Sequence, residues 1–312
     1  MDEESLAERF EENRARLRAM AYRMLGSASD ADDAVQEGWL RAARAGADGV
    51  ANLDGWLTTI TARVCLDMLR SRQARHERLA GAAESDFEAD AVAGISVGSA
   101  DVGGPEQEAV LADSVGLALL VVLDRLAPAE RVAFVLHDMF GVPFGEIAQI
   151  TGRSSDGARQ LASRGRRRVR GTAGQDGTPG QAGGGPVSAG RLARQRAVAE
   201  AFIAASRAGD LEALLAVLDP DVVLHADAAA VPSGRPSELH GAAAVANGAR
   251  LSGQRSRYSV LVLVDGVPGI VYAPQGKVEI VLAFSYRDDR VSGIEVIADA
   301  DRLDALELAV LG

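Results

Sequence analysis

The sequence predicts three folded parts in one chain: two all-helical domains, then an α+β domain shaped as a cone around a curved antiparallel sheet. Apolar residues recur at helical spacing through the first half. Two low-complexity stretches divide the chain, and the last third switches to two-residue alternation broken by turn residues. With 312 residues and 47 % hydrophobic side chains, each part can bury a core of its own.

Residues 1–80 make the first expected domain. Leu17, Ala21 and Met24 form an apolar stripe that ends near Gly26. Ser29 and the acids of SASDADDAVQEGWLRAAR open a second helix, because negative charge suits a helix N-terminus. After the loop AGADGVANL comes a long helix with Leu53, Leu57, Ile60, Val64 and Met68 inward. Thr59, Arg63, Asp67 and Arg70 lie on its other side, and its end is a basic run of Arg70, Arg72, Arg75, His76 and Arg78. Residues 81–107, rich in Gly, Ala and acids, read as a flexible solvated linker.

The second domain, 108–170, closes on three helices between Leu126 and Arg170. The first, from about Pro128 to Met139, carries Val132, Val135, Leu136 and Met139 on one face. Gly141 to Pro143 break it, and a short helix follows with Phe144, Ile147 and Ala148 inward. Gly152 makes a turn, and Ser154 is placed to cap the third helix by accepting an orphan N–H. Ala158, Leu161, Ala162 and Val169 form the buried stripe of that helix, opposite Asp156, Arg159, Gln160, Ser163, Arg164 and Arg167.

Two short helices joined by a glycine turn, the second bearing outward Arg and Gln, describe a helix-turn-helix. Arg and Gln make bidentate contacts to base edges, while Arg166, Arg167, Arg168 and Arg170 suit phosphates. A basic helix end also occurs as a plain solvated terminus, since cations favour helix C-termini.

Charge and composition narrow the function. The net charge is −11, whereas a protein that binds DNA alone draws most of its affinity from neutralising phosphates. An acidic chain with two local basic patches fits a subunit that reads DNA while a larger partner holds it there. Cys65 is the only cysteine, which excludes an internal disulfide and a cysteine-rich metal site. No apolar run reaches membrane-spanning length and the acidic start lacks a signal-peptide segment, so a cytoplasmic protein without membrane contact is expected.

The ordered motifs DADDAVQEGWLRA, GWLTTITARVCLDMLRSR and the helix-turn-helix resemble an extracytoplasmic-function (ECF) sigma factor of bacterial RNA polymerase, a member of the sigma-70 family. The resemblance covers roughly residues 10 to 170 and implies core RNA polymerase and promoter DNA as partners. It implies that Asp32, Asp33, Gln36, Glu37 and Leu40 dock on the polymerase clamp. Arg63, Asp67, Arg70 and the basic residues Arg72 and Arg75 would open and read the −10 element. The phrase SSDGARQLASRGRRRV lies where the family reads the −35 element, which carries over to Ser154, Ser155, Asp156, Arg159, Gln160, Ser163, Arg164, Arg167 and Arg168. In the family the first linker threads into the RNA path, which sets Glu84, Asp86, Glu88 and Asp90 against basic channel walls.

Residues 171–187 are a Gly-rich break, and 188–312 differ in character. Leu192, Ala199, Phe202, Ile203 and Ser206 share one helix face; Leu211, Leu214, Leu215 and Leu218 line a second helix after Gly209 and Asp210. DVVLHAD reads as a strand and LHGAAAVANGARL as a helix. YSVLVLV, GIVY, KVEIVLAFSY and RVSGIEVIA are strands separated by Asp265-Gly266, Gln275-Gly276 and Asp288-Asp289, the turn chemistry of a meander. The phrases AGDLEALLAVLDPDVVLHAD and LHGAAAVA resemble the SnoaL-like/NTF2-like fold, and the domain order resembles the SigJ-type branch of sigma factors. The chain departs from that branch at ADADRL, at PQGK and in the linker after the first domain.

Relatives of the cone fold include isomerases and cyclases with a buried Asp or His. His225 and Asp227, two apart on one strand, and His240 are the candidates for such chemistry, against the plainer reading of polar rim residues. No catalytic residue, cofactor or metal is expected. The C-terminal domain is expected to modulate sigma activity by docking on the sigma core within the same chain. The rival readings are a stand-alone helix-turn-helix regulator and a sigma-like protein with an isomerase- or cyclase-type C-terminal enzyme.

Overall fold

The computed structural model describes residues 3–82, 114–171, 189–231, 234–251 and 258–311. Most of both linkers lies outside these residues, including Glu84, Asp86, Glu88 and Asp90 and the expected domain start at 108. Contacts gather the chain into two units. One is drawn from Met1–Ala112 and Leu126–Gly165, the other from Asp113–Arg125 and Arg166–Gly312.

The first unit begins with three helices, α1 (Glu3–Leu25), α2 (Ala28–Ala45) and α3 (Leu53–Ala82). Gly26, at φ 75°, stops α1 in the left-handed conformation, and the Ser27 hydroxyl accepts from Asp30 N to start α2. Leu17, Met20, Met24, Leu57 and Leu66 are fully buried between them. Gly38 permits the close approach of α2 to α3, because a Cβ there would lie 2.9 Å from Thr61 Oγ1.

Burial on α3 is broader than one stripe. Cys65, Leu66 and Leu69 are buried with Leu57 and Val64, while Leu53, Ile60 and Met68 are half-buried. The cause is that α3 packs on more than one side, against α1 and α2 and against helices that follow in the same unit. Burial pushes the Cys65 thiol up to about 12, so it is held as a neutral core side chain.

Four further helices span 114–170: α4 (Ser114–Asp124), α5 (Pro128–Phe134), α6 (Phe144–Thr151) and α7 (Ser155–Arg170). The helix expected from Pro128 to Met139 changes winding at Val135, where a π-helical turn runs to Met139. Val142 N closes that turn by donating to Leu136 O at 2.9 Å. Gly152, at φ 70°, turns the chain between α6 and α7, and Ser154 Oγ accepts from Gly157 N at 3.1 Å, the expected cap. Ala158, Leu161, Ala162 and Val169 are buried as read from the sequence.

The second unit is an α+β cone. After α8 (Ala189–Ala208) and α9 (Leu211–Val217) the strands are β1 (Leu218–Ala226), β2 (Ser237–His240), β3 (Ser259–Val264), β4 (Val267–Tyr272), β5 (Ile280–Arg287), β6 (Arg290–Ile297) and β7 (Leu308–Ala309). Helices α10 (Ala242–Leu251) and α11 (Ala300–Ala305) complete it.

The sheet order is β2-β1-β6-β5-β4-β3-β7. Strands β3 to β6 form the expected antiparallel meander, but β1 pairs with β6 in parallel, so the sheet is mixed. Asp265-Gly266 and Asp288-Asp289 have positive φ at both residues (50°, 80°; 48°, 59°), the hairpin geometry that follows strand twist.

One face of the sheet closes on Phe202, Leu214, Val222, Val245, Ile270, Phe284 and Ile294. Leu211 and Leu215, expected inward, are instead exposed; α9 has only seven residues and turns a single face, that of Leu214, to the core. Helix α4 belongs to this unit. It is apolar all round, with Leu117, Leu120, Val121 and Leu123 buried, and it packs on β3 and on the short turn Pro274–Gly276.

Candidate nucleic-acid and polymerase interfaces

Helix α2 separates its residues cleanly. Ala31, Ala34, Val35, Gly38 and Ala42 are buried, which turns Asp32, Asp33, Gln36 and Leu40 to solvent with Glu37 half-exposed. Asp32 accepts from Arg18 at 2.6 Å and Glu37 from Arg41 at 2.8 Å, so two carboxylates are held in place by neighbours. Leu40 is 39 % exposed, an apolar side chain inside an acidic patch.

On α3, Arg63, Asp67 and Arg70 follow one another at one helix face and all are exposed. Arg63 donates to the main-chain oxygen of Gln149 at 3.1 Å, and Asp67 pairs with Arg41 at 3.4 Å. Arg75 is exposed, whereas Arg72 is half-buried, donates to Leu25 O and pairs with Asp30. That arginine closes the α1–α2 corner against α3, a structural task that a count of basic residues does not reveal.

The exposed side of α7 carries Ser155, Asp156, Arg159, Gln160, Ser163, Arg164, Arg167 and Arg168, all facing solvent. Gly165 is buried and lets α7 lie against α5: a Cβ there would be 3.0 Å from Phe134 Cβ and 3.3 Å from Glu130 O. Arg164 pairs at 2.8 Å with Glu130, whose side chain is only 8 % exposed. Arg159 pairs with Asp156 at 2.8 Å and stands 5.7 Å from the Phe144 ring centroid.

Sequence reasoning missed Glu130, Gly165 and the part played by Phe144. A glycine among apolar helix positions was the available signal for Gly165; the other two contacts depend on tertiary packing. The capping serine, Ser154, has its hydroxyl engaged by Gly157 N of its own helix, so the structure gives it a capping task.

In the cone, His225 lies on the sheet face away from the core, since Val222 and Leu224 pack inward. It is 61 % exposed and 3.7 Å from Glu238, and Glu238 also meets His240 at 2.9 Å. Asp227 is 11 % exposed beside Arg302 and accepts from the backbone of Ala230, Ala298 and Asp299. Burial alone would raise its pKa, but the three N–H groups and Arg302 outweigh it and hold the carboxyl below its ordinary range. No hydrogen bond joins His225 to Asp227. A separate cavity of about 290 Å³ is lined by Arg196, Ile203, Arg207, Val260, Leu261 and Val310.

Among the described residues no helix is long and apolar enough to cross a membrane. A helical bundle with an acidic solvent face, followed by a helix-turn-helix whose second helix turns Arg and Gln outward, is the arrangement expected of a sigma-type transcription factor. Residues 9–75 match the family model for Sigma-70 region 2, and residues 116–169 match that for Sigma-70 region 4.

The chain is 39 % identical over 216 residues to a probable ECF RNA polymerase sigma factor SigI of Mycobacterium tuberculosis, covering 69 % of this chain and 68 % of that protein. It is 40 % identical over 218 residues to the ECF RNA polymerase sigma factor SigJ of the same species, covering 70 % of this chain and 64 % of that protein. The crystal structure of M. tuberculosis SigJ aligns over 95 % of this chain and 98 % of its own, at 31 % identity and a TM-score of 0.43. The chain therefore belongs to the ECF RNA polymerase sigma factors.

Proposed function

We propose that this chain binds core RNA polymerase in the cytoplasm and directs it to a specific set of promoters. The observation that carries the reading is the pairing of two surfaces. The solvent face of α2, Asp32, Asp33, Gln36, Glu37 and Leu40, is the polymerase contact. The solvent face of α7 is the promoter contact, with Arg159 and Gln160 reading base edges upstream and Arg167 and Arg168 holding phosphates. Arg63, Asp67, Arg70 and Arg75 serve the −10 element, and Arg72 supports them by fixing the helix they stand on. Arg63 must exchange its Gln149 bond for one to DNA when it engages.

The functional modules are 1–80 and 108–170, joined by the acidic linker 81–107, with the Gly-rich linker 171–187 leading to a regulatory domain at 188–312. Helix α4 lies inside the region 4 match yet packs on the cone, and Arg125 just after it donates to Asp304 at 2.7 Å and to Leu303 O at 3.0 Å. One segment of the region 4 match is thus built into the C-terminal unit. This supports a modulatory role over an enzymatic one, as does the engagement of Asp227 by backbone donors.

The test uses the full chain. Arg125→Ala and wild type are compared in transcription with core enzyme at matched polymerase occupancy. A changed promoter output is expected. Unchanged output, with a small molecule turned over by wild type and lost in Asp227→Asn, would make the enzyme reading the better one.

A further inference from the structure

We infer that Phe144, braced by His137, is a positioning residue that holds Arg159 ready to read its base. The inference rests on the assignment of Arg159 as a base reader. It adds residues that touch no DNA in that assignment. The His137 and Phe144 rings are stacked, with centroids 3.9 Å apart and planes 29° from parallel. His137 is itself fixed, because its Nδ1 lies 3.2 Å from Val142 O, an atom that can only accept. The π-helical turn Val135–Met139 carries His137 and ends where the chain doubles back toward α6, whose first residue is Phe144.

The Arg159 guanidinium stands over the same phenyl ring at 5.7 Å, within cation–π range, while Asp156 takes one of its nitrogens at 2.8 Å. Ring and carboxylate together restrict a long side chain that is otherwise 62 % exposed. A free arginine pays rotamer entropy when it is fixed on a base edge, so one held by a ring and a carboxylate loses less on binding. Phe144 is only half-buried, which leaves its ring available to Arg159. The role of the helix-turn-helix scaffold is thereby divided: Ile147 and Ala148 of α6 hold the core, and Phe144 serves the reading surface.

The experiment uses the full chain with core polymerase on a promoter library randomised through the upstream element. Arg159→Ala first identifies the base position whose preference is lost. Phe144→Leu should weaken preference at that same position by about two- to fivefold, the range of an exposed cation–π contact. Other positions should keep their preferences. Phe144→Tyr should keep the preference, and Phe144→Leu in the Arg159→Ala background should add nothing. His137→Ala, which leaves Phe144 in place, should give a smaller loss at the same position and covers the case in which Phe144→Leu folds poorly.

In the free chain, the Arg159 side-chain proton resonances should carry a ring-current shift that Phe144→Leu abolishes. An Arg159→Ala library with no lost base preference overturns the base-reader assignment and this inference with it. A lost preference that neither Phe144→Leu nor His137→Ala reproduces, or an equal loss on every upstream sequence, overturns the inference alone.

Discussion

Arg164 sits among the outward residues of α7, yet its Glu130 partner is buried. Replacing it with alanine removes the 2.8 Å contact to Glu130, a carboxylate whose side chain is 8 % exposed, while Arg164 itself is 48 % exposed. Breaking a fully buried pair costs about 3–5 kcal/mol, and an exposed pair contributes about 0.2–1 kcal/mol. With one partner in water and the other buried, screening reduces the cost to about 1–2 kcal/mol. Because part of the cost arises at a buried carboxylate that has lost one of its partners, Glu130→Gln should lower it in the Arg164→Ala background. The assay is hydrogen exchange of the α5 and α7 amides in the full chain, which reads local opening. Exchange should rise about five- to thirtyfold in Arg164→Ala, the equivalent of that cost. If exchange is unchanged while preference at one promoter base is lost, Arg164 is a reader and the structural assignment is wrong.

Arg159→Ala and Gln160→Ala should each alter promoter choice, at about 1–3 kcal/mol if each makes a bidentate base contact. Arg168→Ala should weaken all promoters alike and lessen the salt dependence of binding. Equal losses on every upstream sequence for all three would contradict the division. Leu40→Asp should reduce association with core polymerase in a competition assay, with no loss of helicity, because the side chain already stands 39 % exposed. Asp227 gives a pH signature: its folded pKa is depressed, so its stabilisation is complete above the ordinary carboxylate range and is lost as pH falls through the folded value. Asp227→Asn should therefore lower the thermal midpoint of the cone at neutral pH and narrow its difference from wild type in acid; a constant difference across pH would refute that origin.

Much of this arrangement is legible in the sequence because the signals are local. The cap at Ser154, the turn at Gly152, the break at Gly209-Asp210 and the two-residue turns Asp265-Gly266 and Asp288-Asp289 are short-range chemistry and stand where the residues place them. The same is true of the α7 stripe, whose apolar and polar faces alternate with helical period. Helix α4 was not legible: a segment that is apolar all round has no face, so its sequence names no partner. The parallel pairing of β1 with β6 joins strands far apart in sequence, and β2 and β7 are too short to alternate visibly.

In the candidate interface, exposure of the α2 and α7 residues followed from periodicity, but their engagements did not. Arg72 reads as one more cation in a basic run until Asp30 and the Leu25 carbonyl are brought to it by the α1–α2 turn. Phe144 occupies an apolar helix position and so reads as core, although its ring serves His137 and Arg159. His225 and Asp227 are two apart in sequence, but the chain leaves the strand at Ala226 and Asp227 turns to cap the following 3-10 turn, so they do not form a pair.

The central claim is tested most directly by in vitro transcription with purified chain, core RNA polymerase and a genomic promoter pool. The account predicts that the chain and core enzyme together initiate at a defined set of promoters that core enzyme alone does not use, and that Leu40→Asp removes this activity. Failure to associate with core enzyme, combined with tight sequence-specific DNA binding by the chain alone, would contradict it.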